Sequence, residues 1–316
     1  MDSPSRRRTA ARAAGALLAV PTAVAGCRLA GADAVTPVPQ LLALLPWSAV
    51  PAVPALVVAT VARRPALVVW AAALLAVTAW LAQPYGPDTT RARGPVTARL
   101  TVLASNVEFS GATAELLAVI RRERPDLVFV SECDPGCVRL LATALPHRAE
   151  VAAPGPAGSV VLSARPLTPA PALPGTLGMP GATLRAGGKD VRLQLAHPLP
   201  PLPGQVAAWR RELAGLRDFA AGHRGRSVVL AGDFNASQDH AAFRAVLDSG
   251  ALHDSARIAG AARTGSWPQD GPLPPFAQID HVLVSTDFAV RGARFLPVPR
   301  TDHRALLVEL DLHALP

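Results

Sequence analysis

Apolar and polar positions divide the 316-residue chain into two unlike parts. Three nearly uninterrupted apolar stretches come first: Ala13 to about Gly31, Gln40 to Ala62, and Pro65 to Ala82. A helix rises about 1.5 Å per residue and needs roughly 17–25 residues to cross the hydrocarbon core. The second and third stretches reach that length, and the first is marginal because Cys27 and Arg28 interrupt it. Pro46, Pro51 and Pro54 predict bends in the second. From Arg99 the pattern changes to short apolar runs of strand length. Leu100–Ala104, Leu127–Val130, Ser159–Leu162, Val191–Ala196, Ser227–Ala231, Gln278–Val284 and Ala305–Leu310 predict buried strands. Amphipathic spacing predicts helices over Ala112–Arg124, Val206–Ala221 and Asp239–Ser249. Strands mixed with helices over about 220 residues point to a two-sheet α/β sandwich covered by helices. Residues 84–98 carry Gly and Pro without an apolar period and predict a linker. The expected organisation is a membrane anchor of about three transmembrane helices over 1–83, the linker 84–98, and a soluble domain over 99–316.

Composition agrees with that division. Hydrophobic residues make up 50% of the chain and charged residues only 17%, against about 25% in an ordinary soluble protein, which excludes disorder. The net charge of +8 would by itself suggest a nucleic-acid partner. Residues 1–94, however, hold nine arginines against Asp2, Asp33 and Asp88, a net of +6, and the remainder carries only +2. That remainder shows no Lys/Arg cluster interleaved with aromatics. Arg6, Arg7, Arg8 and Arg12 precede the first stretch, and Arg63 and Arg64 separate the second from the third. By the positive-inside rule these positions are cytoplasmic, which places everything after Gln83 outside. Val24-Ala25-Gly26-Cys27 is an alternative lipidation signal; with a lipid on Cys27 and two remaining spans, the soluble domain is still outside.

Polar residues recur beside the predicted strands: Asn106, Glu132, His197, Asp233 with Asn235, Asp280, and Asp302 with His303. Asp, Asn and His favour turns beside strands for purely local reasons, but strand ends on one rim of a sheet also gather side chains from distant sequence. In order, Ser105-Asn106-Val107, Ser131-Glu132, Ala196-His197-Pro198, Gly232-Asp233-Phe234-Asn235-Ala236, Ile279-Asp280-His281 and Thr301-Asp302-His303 resemble the signature of the endonuclease/exonuclease/phosphatase family. Ser266-Trp267-Pro268 resembles a further family segment. The match covers about residues 99–312 and, with the anchor, resembles a membrane-anchored bacterial branch with an extracytoplasmic catalytic part.

The resemblance implies a DNase I-like sandwich and metal-dependent cleavage of a phosphate ester with Mg²⁺ or Mn²⁺. A hydroxide approaching an anionic ester needs charge neutralisation, which a hard cation on carboxylates provides. Asn106, Glu132 and Asp302 are the expected metal ligands. Asp233 is expected to orient or deprotonate water, and Asn235 to donate to a phosphoryl oxygen. Two residues apart, they share one face if the strand continues, and a turn is the alternative. His303 is expected to donate to the phosphoryl oxygen while Asp280 holds its ring, and His197 to face a phosphate oxygen or the leaving group. His281 is expected to point away. Glu108 is either a further metal carboxylate or a solvated side chain. Two departures weaken a DNA-repair nuclease: the sole tyrosine, Tyr85, is in the linker, and Ala164 replaces a mid-strand arginine. Cys133 and Cys137 are expected to form a disulfide beside Glu132. The leading expectation is an extracytoplasmic phosphoesterase acting on a phosphate ester, with a lipid-linked envelope substrate favoured. The alternatives are an extracellular DNase and a catalytically silent binding module.

Overall fold

The apolar segments before the linker fold as helices of unequal length. In the computed structural model, which describes residues 4–314, these are α1 (Pro4–Ala30), α2 (Val38–Ala43), α3 (Ala49–Val61) and α4 (Pro65–Leu81), with a 3-10 turn at Leu45–Ser48 between α2 and α3. Among the described residues only α1 is long and apolar enough to cross a membrane; the apolar helical runs Leu45–Val61 and Pro65–Leu81 are shorter. The continuous span expected over Gln40–Ala62 is broken at Leu44, between α2 and the turn that holds Pro46. Proline lacks the amide hydrogen that would continue an α-helical ladder, whereas Pro54 is accommodated inside α3. Along α3, Ala52, Ala55 and Ala59 are fully buried while Val50, Val53, Val57 and Val61 are exposed. Small side chains at this spacing let helices approach closely. The chain up to Pro84, with Asp239–Ala241, makes one compact unit, and Tyr85–Gln238 with Ala242–Pro316 makes a second.

The second unit holds twelve strands among the described residues. They are β1 (Val96–Asn106), β2 (Leu127–Ser131), β3 (His147–Val151), β4 (Ser159–Ser163), β5 (Leu167–Ala170), β6 (Gly181–Ala186), β7 (Lys189–Ala196), β8 (Ser227–Asp233), β9 (His253–Asp254), β10 (Asp280–Val284), β11 (Phe288–Leu296) and β12 (Ala305–His313). Helices α5 (Thr113–Glu123), α6 (Pro135–Leu141), α7 (Val206–Gly222), α8 (Ala241–Gly250) and α9 (Ser255–Ile258) lie between them in sequence. Sheet one runs β11-β12-β1-β2-β4-β3 and sheet two β5-β6-β7-β8-β10-β9.

Strand alternation builds the layers, because successive side chains point to opposite faces. Leu100, Val102 and Ala104 of β1 and Leu127 and Phe129 of β2 meet Leu193 and Leu195 of β7, Val229 and Ala231 of β8, and Val282 and Val284 of β10 in the central core. The intervening Leu103, Val128 and Val130 pack instead with α5 and α6. Val228, Leu230 and Leu283 pack with α7 and α8. The expected sandwich is therefore present. The linker ends earlier than expected, since β1 begins at Val96 and extends the strand predicted from Leu100. Five strands had no counterpart in the apolar pattern: β6 and all four sheet edges, β3, β5, β9 and β11. An edge strand need not bury a continuous run. β5 even carries Pro169, whose missing donor an edge tolerates.

Candidate active site

The parity that fills the core also builds the site. One further step of the inward-facing series leads to Asn106 on β1, His197 just past β7, Asp233 on β8 and Asp280 on β10, all at most 2% exposed. β1 is parallel to β2, and β7 is parallel to β8, so each pair of C-terminal ends lies together. β10 is antiparallel to β8 and starts at the same rim, with Asp280 directly opposite Asp233.

Asn106 joins the two sheets. Its Nδ2 donates to Glu132 Oε1 and to Asp233 Oδ2, both at 3.1 Å. Its Oδ1 accepts from the Glu108 amide at 3.0 Å. Glu132 Oε2 accepts from the Phe109 amide at 2.9 Å, and His197 Nε2 lies 3.9 Å from Oε1. Asp302 is tied in through its backbone: its amide donates to Glu108 Oε2 at 2.9 Å, and its Oδ2 accepts from Trp267 Nε1 at 2.7 Å. On the other side His303 Nδ1 sits 2.8 Å from Asp280 Oδ2. His303 Nε2 lies between Asp302 Oδ1 at 3.6 Å and Asp233 Oδ2 at 3.8 Å. Asn235 lies past the end of β8 in a left-handed conformation, φ 47°, so of the two alternatives the turn is what forms. Its amide donates to Asp233 Oδ1 at 2.8 Å and its Nδ2 to the Pro198 carbonyl at 3.0 Å. All eight expected site residues thus belong to one neighbourhood of the second unit. His281 faces the other way, against Asp254 Oδ2 and the Ala236 carbonyl.

Backbone conformation marks the same neighbourhood. Glu108, Phe109 and Ser110 are three consecutive left-handed residues, and Glu132 and Arg300 are left-handed as well. Non-glycine residues pay for this conformation, and it persists only where surrounding contacts hold it. Hydroxyls bind backbone groups in the same neighbourhood. Thr301 Oγ1 donates to the Asn106 carbonyl, Ser110 Oγ to the Glu132 carbonyl, and Ser266 Oγ accepts from the Ile279 and Asp280 amides. Ser110 gave no signal in the sequence, since one serine after a strand resembles any turn residue.

Charge is distributed unequally. Burial pushes the Asp233 carboxyl up to about 7, with the His303 charge opposing and Asp280 adding to the rise. Burial alone would lower His303, but the Asp280 and Asp233 charges and the Asp280 hydrogen bond hold it up to about 10. Burial and the His303 charge push His197 down to about 3, leaving it neutral. Burial raises Glu108, and the Asp302 charge adds to the rise. Among the described residues no Lys or Arg ion-pairs with Glu108, Glu132, Asp233, Asp280 or Asp302.

Such a concentration of oxygen donors fits a hard divalent cation. Asp233, Asp280 and His303 form one cluster whose potential ligand atoms lie within 4.8 Å of one another. There, however, the His303 imidazolium already balances the aspartates, and a metal would have to displace its proton. Asn106, Glu132 and Glu108 have no cation of their own, and Asp302 meets only the edge of His303 at 3.6 Å, so the donor set on that side suits a metal better.

Residues 103–303 match the Endonuclease/Exonuclease/phosphatase family. The chain belongs to that family. Solved structures agree on the fold. An endonuclease/exonuclease/phosphatase from Beutenbergia cavernae is 21% identical with a TM-score of 0.52, covering 69% of this chain and 73% of its own. A mannosyl-6-phosphatase from Bacteroides thetaiotaomicron is 17% identical with a TM-score of 0.52, covering 67% of this chain and 99% of its own. D. rerio TDP2 complexed with single-strand DNA product is 14% identical with a TM-score of 0.54, again covering 67% and 99%. At these identities the likeness is one of endonuclease/exonuclease/phosphatase fold. No curated relative matches the chain.

Proposed function

We propose that the protein is a membrane-anchored, extracytoplasmic, Mg²⁺-dependent phosphoesterase, with a lipid-linked phosphate ester favoured over nucleic acid. Family membership places it among metal-dependent phosphoesterases. The observation that supports metal-assisted hydrolysis at this site is the Asn106 bridge, which ties carboxylates without a Lys or Arg partner on one side to a buried Asp-His-Asp cluster on the other.

Asn106, Glu132 and Asp302 would hold the cation, with Glu108 beside them. When bound, the cation supplies charge neutralisation at the phosphoryl oxygens and makes nearby water more acidic. Asp233, with a carboxyl near 7, is matched to accept a proton at neutral pH. The water oxygen forms the new P–O bond as the ester P–O bond breaks, the proton passes to Asp233, and the leaving oxygen is protonated from solvent. His303, kept charged by Asp280, donates from Nε2 to a phosphoryl oxygen as charge builds there. Neutral His197 supplies one ring N–H and no proton. Asn235 keeps its second amide hydrogen for the phosphate.

Three features support the location. The exposed side of α3 is valine where a soluble helix would be polar. Arginines flank the apolar helices in the positive-inside pattern. Cys133 and Cys137 are joined as a disulfide, which persists in oxidising compartments. Among fold neighbours one is a mannosyl-6-phosphatase and another holds a DNA product, so the scaffold is compatible with several ester classes. The nearly neutral charge of residues 95–316 disfavours DNA.

The full chain, purified in detergent, should hydrolyse at least one of p-nitrophenyl phosphate, bis-p-nitrophenyl phosphate, a prenyl pyrophosphate, nucleotides or DNA when Mg²⁺ is added, and lose this with EDTA. A DNA preference would favour the nuclease, and no hydrolysis of any class would favour the silent module.

A further inference from the structure

Glu212 is a buried carboxylate on α7, 8% exposed, and among the described residues no Lys or Arg pairs with it. Three donors satisfy it. Oε1 accepts from the Thr176 amide at 2.7 Å and the Thr176 hydroxyl at 2.8 Å, and Oε2 accepts from the Leu199 amide at 2.7 Å. Burying a carboxylate is costly unless such bonds are made. A residue needed only to fill space between α7 and two loops would be apolar.

Both loops lead to the site. Leu199 follows His197 and Pro198, and the Pro198 carbonyl receives Asn235 Nδ2 at 3.0 Å. One helical turn before Glu212, Trp209 Nε1 donates to the Asn235 carbonyl at 3.1 Å. Helix α7 therefore grips Asn235 twice, through its backbone by Trp209 and through its side chain by the Glu212–Leu199–Pro198 segment. The Thr176 loop leads the other way. Gly178 N donates to the Ala157 carbonyl at 2.9 Å, and the Gly158 carbonyl accepts from Cys133 N at 2.9 Å, next to Glu132. These approaches leave no room for side chains: a Cβ at Gly178 would lie 2.6 Å from the Ala157 carbonyl oxygen, and one at Gly158 2.3 Å from that of Cys133.

We infer that Glu212 is a positioning residue for the site, fixing the His197–Leu199 segment and Asn235 on one path and the loop behind Glu132 on the other. It touches no reacting atom; its contribution is the placement of groups that do. This rests on the phosphoesterase reading, and the test separates the two. In the full chain in detergent, assayed with Mg²⁺ and bis-p-nitrophenyl phosphate, Glu212→Gln retains one carbonyl acceptor and so can hold only one loop. Its kcat should fall about tenfold and that of Glu212→Ala about a hundredfold, with KM nearly unchanged. Leu216→Ala, one turn further along α7 in the same apolar layer, should lower the thermal midpoint without lowering kcat at a temperature well below it. Unchanged kcat in Glu212→Gln, or a fall no larger than in Leu216→Ala, overturns the inference. If Glu212→Ala does not fold, the Gln variant decides. If wild-type protein hydrolyses nothing, the phosphoesterase reading fails, and the Asn235 side-chain amide NMR signal still decides the positioning. That signal should move in Glu212→Gln and stay in place in Leu216→Ala; an unmoved signal in the Gln variant overturns the inference.

Discussion

The two sheets furnish unlike halves of one site. On the sheet-one side, Glu132 and Asp302 keep 16% and 28% of their side chains exposed, and backbone amides or a tryptophan N–H hold them. On the sheet-two side, Asp233 and Asp280 are essentially fully buried around His303. The same residue type thus meets two environments. Carboxylates left near water, with no Lys or Arg partner among the described residues, suit a hydrated metal and an arriving phosphate. Carboxylates sealed around an imidazole instead have their charges coupled, which sets where protons sit. Asn106, donating to both halves, holds them in one frame.

If the halves differ in task, substitutions in each should separate binding from turnover. The largest effect is expected for Asp233→Asn, which should lower kcat by about 10³ while leaving Mg²⁺ binding intact; assays paired with calorimetry read both. Next is Glu132→Gln. Saturating Mg²⁺ should raise the thermal midpoint of the wild type by about 5 °C, and this gain should vanish in the variant together with most activity. Asp280→Asn sharpens the sheet-two half. In metal-free protein, NMR should show wild-type His303 still an imidazolium at pH 8, since its folded value lies near 10. A raised value means the associated stabilisation is complete below the ordinary histidine range and is lost as pH rises through about 10. In the variant that loss should be smaller and complete at lower pH, with kcat down about tenfold. The smallest effect is expected for Cys133→Ser with Cys137→Ser, which should cost about 2 kcal/mol and lower the midpoint while only modestly reducing turnover.

Much of this was legible in the sequence, for identifiable reasons. Central strands such as β2 and β8 are buried on both faces, so Leu127–Val130 and Ser227–Ala231 read as continuous apolar runs. Edges such as β11 carry Arg291 and Arg294 among half-exposed residues and show no such run. The six ordered polar motifs marked the rim because each follows or precedes a central strand. What the sequence did not reveal was the joinery, including Ser110, Glu212 and the hydroxyl of Thr301, whose partners lie far away along the chain. The break in the second apolar segment was legible only in part, as the bend expected from its prolines. Its hydropathy is continuous across Leu44, and only the backbone consequence of Pro46 interrupts it.

A Mg²⁺ titration by calorimetry, run on the wild type, Asp233→Asn and Glu132→Gln and paired with turnover of the best ester, tests the division of labour most directly. Asp233→Asn should bind Mg²⁺ like the wild type yet scarcely turn over, and Glu132→Gln should neither bind nor turn over. Loss of Mg²⁺ binding in Asp233→Asn with retained binding in Glu132→Gln would overturn this division and move the metal to the buried cluster.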